Sequence, residues 1–217
     1  MNQDLHWSWQ THQPLIRTIL SNYKPEYILE IGIGLFSTPL FIEEYSSKKY
    51  LGIDNDFEWF SMFKEKYPNS DFIFHEIQNT VIGTKVYELQ EYQKASIVDY
   101  YQKLRSKIIS ENYERKLLFV DNYTCARTFA INNLYDLFDI VILHDTEPAA
   151  YSWYSYYFDN NLINNYVKVN YETSISWTTA FIKKSSFLED GLNNSASFIQ
   201  NFEHKHGIYG TKITINT

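Results

Sequence analysis

The stretch that decides the fold is YILEIGIGLFSTPL, Tyr27–Leu40. Its first five residues follow Pro25 and are nearly all apolar, as in a strand buried on both faces. Gly32 and Gly34 come next. Glycine at that point lets the backbone take a positive φ and lets another group approach closely. Thr38 then stands where it can cap a helix, with Pro39 at the first helical position. A helix N-terminus presents free N–H groups to an anion. Strand, glycine turn and helix start make the opening of a βα unit, with an acid, Glu30, two residues before the first glycine.

The pattern continues outward in both directions. Thr11–Asn22 reads as a helix leading in. Pro39–Tyr45 reads as a helix, KYLGID (Lys49–Asp54) as a second strand, Phe57–Tyr67 as a helix and DFIFHEI (Asp71–Ile77) as a third strand. Tyr92–Ser110 is a helix, KLLFVD (Lys116–Asp121) a strand, Cys125–Leu137 a helix, DIVILHD (Asp139–Asp145) a strand and Ala149–Ile163 a helix. YVKVNY (Tyr166–Tyr171) and WTTAFIKK (Trp177–Lys184) lie either side of a short turn and read as a closing antiparallel hairpin. The tail 185–217 has no clear pattern, and KITINT within it reads as an edge strand or as disorder. Alternating strands and helices predict an α/β fold: a Rossmann-like, doubly wound, mostly parallel seven-stranded sheet in one domain spanning 1–217. Ligands of such sheets bind beyond the carboxyl ends of the strands, at the switch point of strand order.

Composition narrows the classes of function. A chain of 217 residues with 44% hydrophobic and 21% charged residues suits one globular domain. A net charge of -7 argues against a nucleic-acid partner. No apolar run is long enough for a membrane span, and MNQDLHWSWQ has no secretion-signal pattern. Cys125 is the only cysteine, so no internal disulfide forms, and a cytoplasmic location is expected. The basic stretch Gln102–Lys116 reads as a solvated helix face.

Two details separate the candidate ligands of the glycine turn. Ser37 occupies the place of a third glycine in a dinucleotide fingerprint. A carboxylate at Glu30 repels a pyrophosphate but attracts an ammonium group. Asp54, at the end of the second strand, is placed to accept hydrogen bonds from ribose hydroxyls. LEIGIG followed by YLGID resembles the first two motifs of the class I S-adenosylmethionine-dependent methyltransferases, and the GxGxxST form resembles members acting on sugars and other small hydroxylated molecules. That resemblance implies that Glu30, Gly32 and Gly34 lie along the methionine portion of S-adenosylmethionine and that Asp54 holds the ribose. Phe36 departs from the pattern, since many members carry a third glycine there. At the third strand end, His75 and Glu76 are candidates to touch the adenine or are surface residues.

Asp121 and Asp145 end the fourth and fifth strands, which are expected to be neighbours. Two carboxylates that close need a cation or a shared proton. Oxygen ligands suit Mg²⁺ or Ca²⁺, and such an ion can hold substrate hydroxyls and lower a pKa. This pair also resembles the metal-assisted O-methyltransferases of antibiotic-sugar pathways. His144–Asp145 matches their HD motif, whereas Thr124 stands where their first motif has histidine. His144 is the remaining candidate base, since its ordinary pKa suits proton transfer at neutral pH; fixing the loop through a hydrogen bond is the alternative. A metal-free site stays open, because methyl transfer needs chiefly positioning. Glu147 is a candidate for the metal or substrate, and Arg127 for an ion pair or an anionic substrate.

The N-terminal segment 1–24, with Trp7, Trp9 and His12, reads either as a lid over the cofactor or as an anchor on the core. YSWYSYYF (Tyr151–Phe158) is a candidate aromatic wall for a sugar. The expectation is therefore methyl transfer from S-adenosylmethionine to an oxygen of a small polar acceptor such as a sugar, with residues His144, Asp145 and Asp121 carrying the chemistry and a homodimer allowed by the hairpin. The alternatives are a catalytically inactive interaction domain of the same fold or another nucleotide-binding enzyme.

Overall fold

The computed structural model describes residues 10–81, 83–149, 154, 156–173, 176–186 and 212–216. The sheet begins with β1 (Tyr27–Ile31), β2 (Lys49–Asp54), β3 (Asp71–Phe74), β4 (Lys116–Val120) and β5 (Ile140–His144). These five strands are parallel. β6 (Tyr166–Glu172) and β7 (Trp177–Lys183) form the expected hairpin, and β7 runs antiparallel to β5. The order across the sheet is β3-β2-β1-β4-β5-β7-β6-β8. The sheet therefore has eight strands rather than seven. The additional one, β8 (Lys212–Asn216), pairs antiparallel with β6 and takes the edge.

Strand order reverses between β1 and β4, whose ends are in register: Ile31 stands beside Val120. All five residues of β1 are buried, which is why that strand carries almost no polar side chain. Its alternation feeds two cores. Tyr27, Leu29 and Ile31 join one face, covered by α3 (Glu91–Ser110) and α4 (Arg127–Leu134). Ile28 joins the other, covered by α1 (Gln13–Tyr23) through Leu15, Ile16, Ile19 and Leu20. In α3 the buried positions Ile97, Tyr101, Leu104 and Ile108 recur at helical spacing.

Helix ends follow local chemistry. α1 carries Pro14 in its first turn and ends at Lys24, which takes a left-handed conformation and donates its N–H to Leu20 O. The Asp56 carboxylate caps α2 (Phe57–Lys66) by accepting from Trp59 N, and Lys64 and Lys66 occupy its last turn. Two expectations change. Pro39–Tyr45 contains one wide helical turn, Leu40–Tyr45, and Thr38 does not cap it. The expected helix Ala149–Ile163 lies partly outside the described residues. Within it Ala149 and Tyr154 are helical, residues 156–159 are not, and α5 (Asn160–Asn165) follows, capped by Asp159 through Asn161 N.

Candidate functional site at the strand ends

The glycine turn is built around a buried acid. Glu30 is fully buried. Its Oε2 accepts from Thr38 Oγ1 at 2.8 Å and from the Tyr50 hydroxyl. Thr38 Oγ1 also accepts from Gly34 N at 2.9 Å, so the loop is tied back onto the acid. Burial pushes the Glu30 carboxyl up to about 8, against hydrogen bonds from Ser37, Tyr50 and Thr38. Glu30, expected to offer a charge to an ammonium group, is tied to Thr38 and Tyr50 beneath the turn, where burial favours its neutral form and its hydrogen bonds hold the loop.

Gly32 and Gly34 differ in purpose. Gly32 has φ +94°, and a Cβ there would sit 2.3 Å from the backbone carbon of Asp121. The turn after β1 thus rests directly on the chain leaving β4, and no side chain fits. At Gly34 a Cβ would meet only Ser37 Oγ, at 3.0 Å. Asp54, at the end of β2, is buried and accepts from Ile33 N at 2.9 Å and Asp56 N at 2.7 Å. Burial raises its pKa to about 7, against those backbone bonds.

Beyond Asp54, Asn55 donates to His75 O at 2.7 Å and accepts from Asn122 Nδ2 at 2.9 Å. The Tyr123 hydroxyl reaches Asp56 Oδ2 at 3.4 Å. His75 stacks on Tyr100 with ring centres 3.4 Å apart, and burial lowers its pKa to about 4. Glu76 is exposed. With His75, Tyr92 and Gln93 it borders a cavity of about 90 Å³, small beside the roughly 300 Å³ or more of ordinary ligand pockets. Asn55 and Asn122 were not evident in the sequence; an asparagine after a strand carries no signal that distinguishes it from a turn residue.

The second group of side chains lies at the ends of β4 and β5. Asp145 has φ +54°, a left-handed conformation that aspartate tolerates, and this turns the chain sharply after His144. Arg127, at the start of α4, is buried between the two acids. Its Nη2 is 2.8 Å from Asp121 Oδ1 and its Nη1 is 3.2 Å from Asp145 Oδ2. Its Nε and Nη1 also donate to Asn122 O and His144 O. The guanidinium lies over the Tyr154 ring, 4.2 Å from its centre. Asp145 further accepts from Ser176 Oγ at 2.8 Å and from the Tyr154 hydroxyl at 3.0 Å.

The expected metal pair Asp121 and Asp145 is therefore bridged by a cation of the protein's own. Burial opposes the charge on Asp145, yet His144 and Arg127 hold its pKa well below the usual carboxylate range. His144 Nδ1 lies 3.3 Å from Asp121 Oδ2 and 3.6 Å from Asp145 Oδ1. Its Nε2 meets Thr11 Oγ1 at 3.0 Å and Ser176 Oγ at 3.4 Å. Burial disfavours the imidazolium, but the two aspartates outweigh it and raise the pKa to about 9. At neutral pH His144 is thus a hydrogen-bond donor, which removes the sequence argument that its ordinary pKa makes it a base.

His12 joins this group from the N-terminal side. Its ring lies edge-on to His144, with centres 4.9 Å apart, and tilted against Phe119. The segment anchors on the strand ends rather than standing free; Trp7 and Trp9 lie outside the described residues. Glu147 accepts from Trp177 N at 3.1 Å. Thr11 and Ser176 carried no sequence signal, because 165 positions separate two residues that only the closed fold brings to one imidazole.

No protein-family model and no curated protein sequence matches the chain. Similar solved structures do exist. An O-methyltransferase from Bacillus cereus in complex with SAH superposes with a TM-score of 0.52 at 14% identity, covering 84% of each chain. The N-methyltransferase NodS from Bradyrhizobium japonicum WM9 gives a TM-score of 0.48 at 11% identity, covering 83% of this chain and 98% of NodS. The sheet order, the parallel core and the superposition on the Bacillus cereus enzyme together show that the chain has the Rossmann-like fold of the class I S-adenosylmethionine-dependent methyltransferases.

Proposed function

We propose that the protein transfers a methyl group from S-adenosylmethionine to an oxygen of a small polar acceptor. The observation that carries this reading is the placement of two unlike sites on neighbouring strand ends. The glycine turn and Asp54 stand beyond β1 and β2, and the Asp121–His144–Asp145 group stands beyond β4 and β5. Gly34, in the turn after β1, and Asp54, a carboxylate at the end of β2, fit the methionine and ribose portions of the cofactor. Glu30 supports the turn from beneath through Thr38 and Tyr50. The bound cofactor supplies an electrophilic methyl group.

The chain's own residues hold the acceptor. The Asp121 and Asp145 side chains are each about a quarter exposed, but Asp145 also accepts from Ser176 and Tyr154, so Asp121 is the acid of the group left for a hydroxyl. Its Oδ2 receives the hydroxyl's hydrogen, while Arg127 and His144 fix its orientation. A sugar, with several hydroxyls and an apolar face for the nearby tyrosines, suits such a site.

Calorimetric titration with S-adenosylhomocysteine, with NAD as the control, tests the reading. Binding of the first and none of the second is expected. Asp54→Ala and Gly34→Val should each weaken it by about tenfold or more, roughly 1.4 kcal/mol. Unchanged binding in both variants would overturn the site assignment. One observation favours a second reading, an interaction domain without turnover: the Asn122–Asn55 and Tyr123–Asp56 bonds link the loops after β4 and β2 beside the glycine turn. Absence of S-adenosylhomocysteine binding would make that reading the leading one.

A further inference from the structure

We propose that His12, Asp121 and His144 form a site for one divalent transition-metal ion of the zinc type. Two imidazoles and one carboxylate make a mixed nitrogen and oxygen donor set, which suits Zn²⁺, Co²⁺ or Ni²⁺ and not Mg²⁺ or Ca²⁺. One donor atom from each residue lies within 4.8 Å of the other two. Ligands about 2 Å from a tetrahedral zinc ion are about 3.3 Å apart, so the widest pair must close by up to about 1.5 Å. This donor set is different from the Asp121–Asp145 pair, whose second member is engaged by Arg127, Ser176 and Tyr154.

His12 supplies the independent observation. It is only 3% exposed, yet neither ring nitrogen has a hydrogen-bond partner among the described residues. A buried imidazole without partners costs stability unless something completes it, and metal ligation does so. Among the described residues the ring meets His144 and Phe119 by ring contacts, and no hydrogen bond fixes its nitrogens against the movement that contraction requires. The other two ligands are already oriented from outside. Arg127 holds Asp121 through Oδ1. Thr11 and Ser176 hold His144 through Nε2, leaving Nδ1 turned toward Asp121. Such outer contacts fix ring direction in metal sites. On entry of the ion, the proton on His144 Nδ1 leaves to solvent and the ring ligates as neutral imidazole. The partly exposed Asp121 marks the way in.

Three protein ligands leave a fourth position open. If the methyl-transfer reading holds, on which this last step rests, that position would take the acceptor hydroxyl and lower its pKa, its proton leaving to solvent while Asp121 serves as a ligand in place of its role as hydrogen acceptor. Metal binding itself does not depend on that reading.

The test uses the full chain, stripped with chelator and titrated with Co²⁺ followed by its visible absorption, and with Zn²⁺ in competition. One Co²⁺ per chain is expected, displaced by Zn²⁺ and not by millimolar Mg²⁺, with a rise in melting temperature. His12→Asn and His144→Asn should each weaken Co²⁺ binding by at least about tenfold. Circular dichroism of each stripped variant establishes that it is folded. No Co²⁺ spectrum with the folded parent chain, or undiminished binding in folded His12→Asn, would overturn the proposal. S-adenosylhomocysteine titrated into stripped and loaded samples tests the methyl-transfer reading separately, because cofactor binding is expected in both.

Discussion

At the scale of single residues, the two glycines of the β1 turn should behave differently. Gly32→Ala places a Cβ against the Asp121 backbone at a positive φ, so it should cost about 3 kcal/mol or more in denaturant unfolding. Gly34→Ala should fold nearly as the parent does, because only the Ser37 hydroxyl has to shift. Glu30 is the residue whose charge state matters most to the turn. Its folded pKa, about 8, lies above its ordinary 4.5. The folded state therefore binds more protons than the unfolded chain between those values, and stability falls as pH rises through the interval. Glu30→Gln can still accept from Thr38 and Tyr50 without titrating. It should be near neutral at pH 7 and should flatten the decline in melting temperature between pH 6 and 9.

At the scale of elements, α4 is locked to the ends of β4 and β5 by one buried guanidinium. Arg127→Met leaves Asp121 and Asp145 without that shared partner, and breaking such a pair from one side costs about 3–5 kcal/mol. The Asp145 carboxyl should then titrate at a higher pH than in the parent, read by NMR of the aspartate carboxyls. The edge strand β8 contributes through Ile213 and Ile215, which pack partly buried against the α1-side core. Ile215→Ala should lower stability by about 1 kcal/mol, roughly 2–4 °C in melting temperature.

For the whole molecule, the titrating groups predict the shape of stability against pH. Glu30 at about 8, Asp54 at about 7 and His144 at about 9 all have raised values in the folded state. Each favours the fold at lower pH and loses its contribution as pH rises through the folded value. His12 at about 3 and His75 at about 4 are lowered. Below their ordinary 6.5 the unfolded chain takes up protons that the buried rings do not, which favours unfolding. The two tendencies oppose one another between about pH 4.5 and 6.5 and leave a plateau there. Above it only the first group acts, so melting temperature should fall steadily to pH 9. A maximum at pH 8 or above in a thermal scan would contradict these assignments.

The sequence by itself determined the parallel α/β sheet, the closing hairpin and the places of Gly32, Asp54, Asp121 and His144 at strand ends. It could do so because apolar runs, glycine turns and alternating periods are local, and local patterns suffice to order strands and helices along a chain. KITINT as a paired eighth strand was not decided there, since an edge strand depends on a partner distant in sequence. Tertiary structure alone decided the character of the site. Glu30 stands beside two glycines in the sequence, yet burial beneath Thr38 and Tyr50 ties it into the turn and pushes its pKa up. Asp121 and Asp145 stand at neighbouring strand ends in the sequence pattern, and only the fold shows that Arg127 bridges them. His12, from the leading segment, meets His144 only because the chain closes over the strand ends. Charge, exposure and partnership are set by what surrounds a side chain in space, and residues far apart in sequence supply those surroundings.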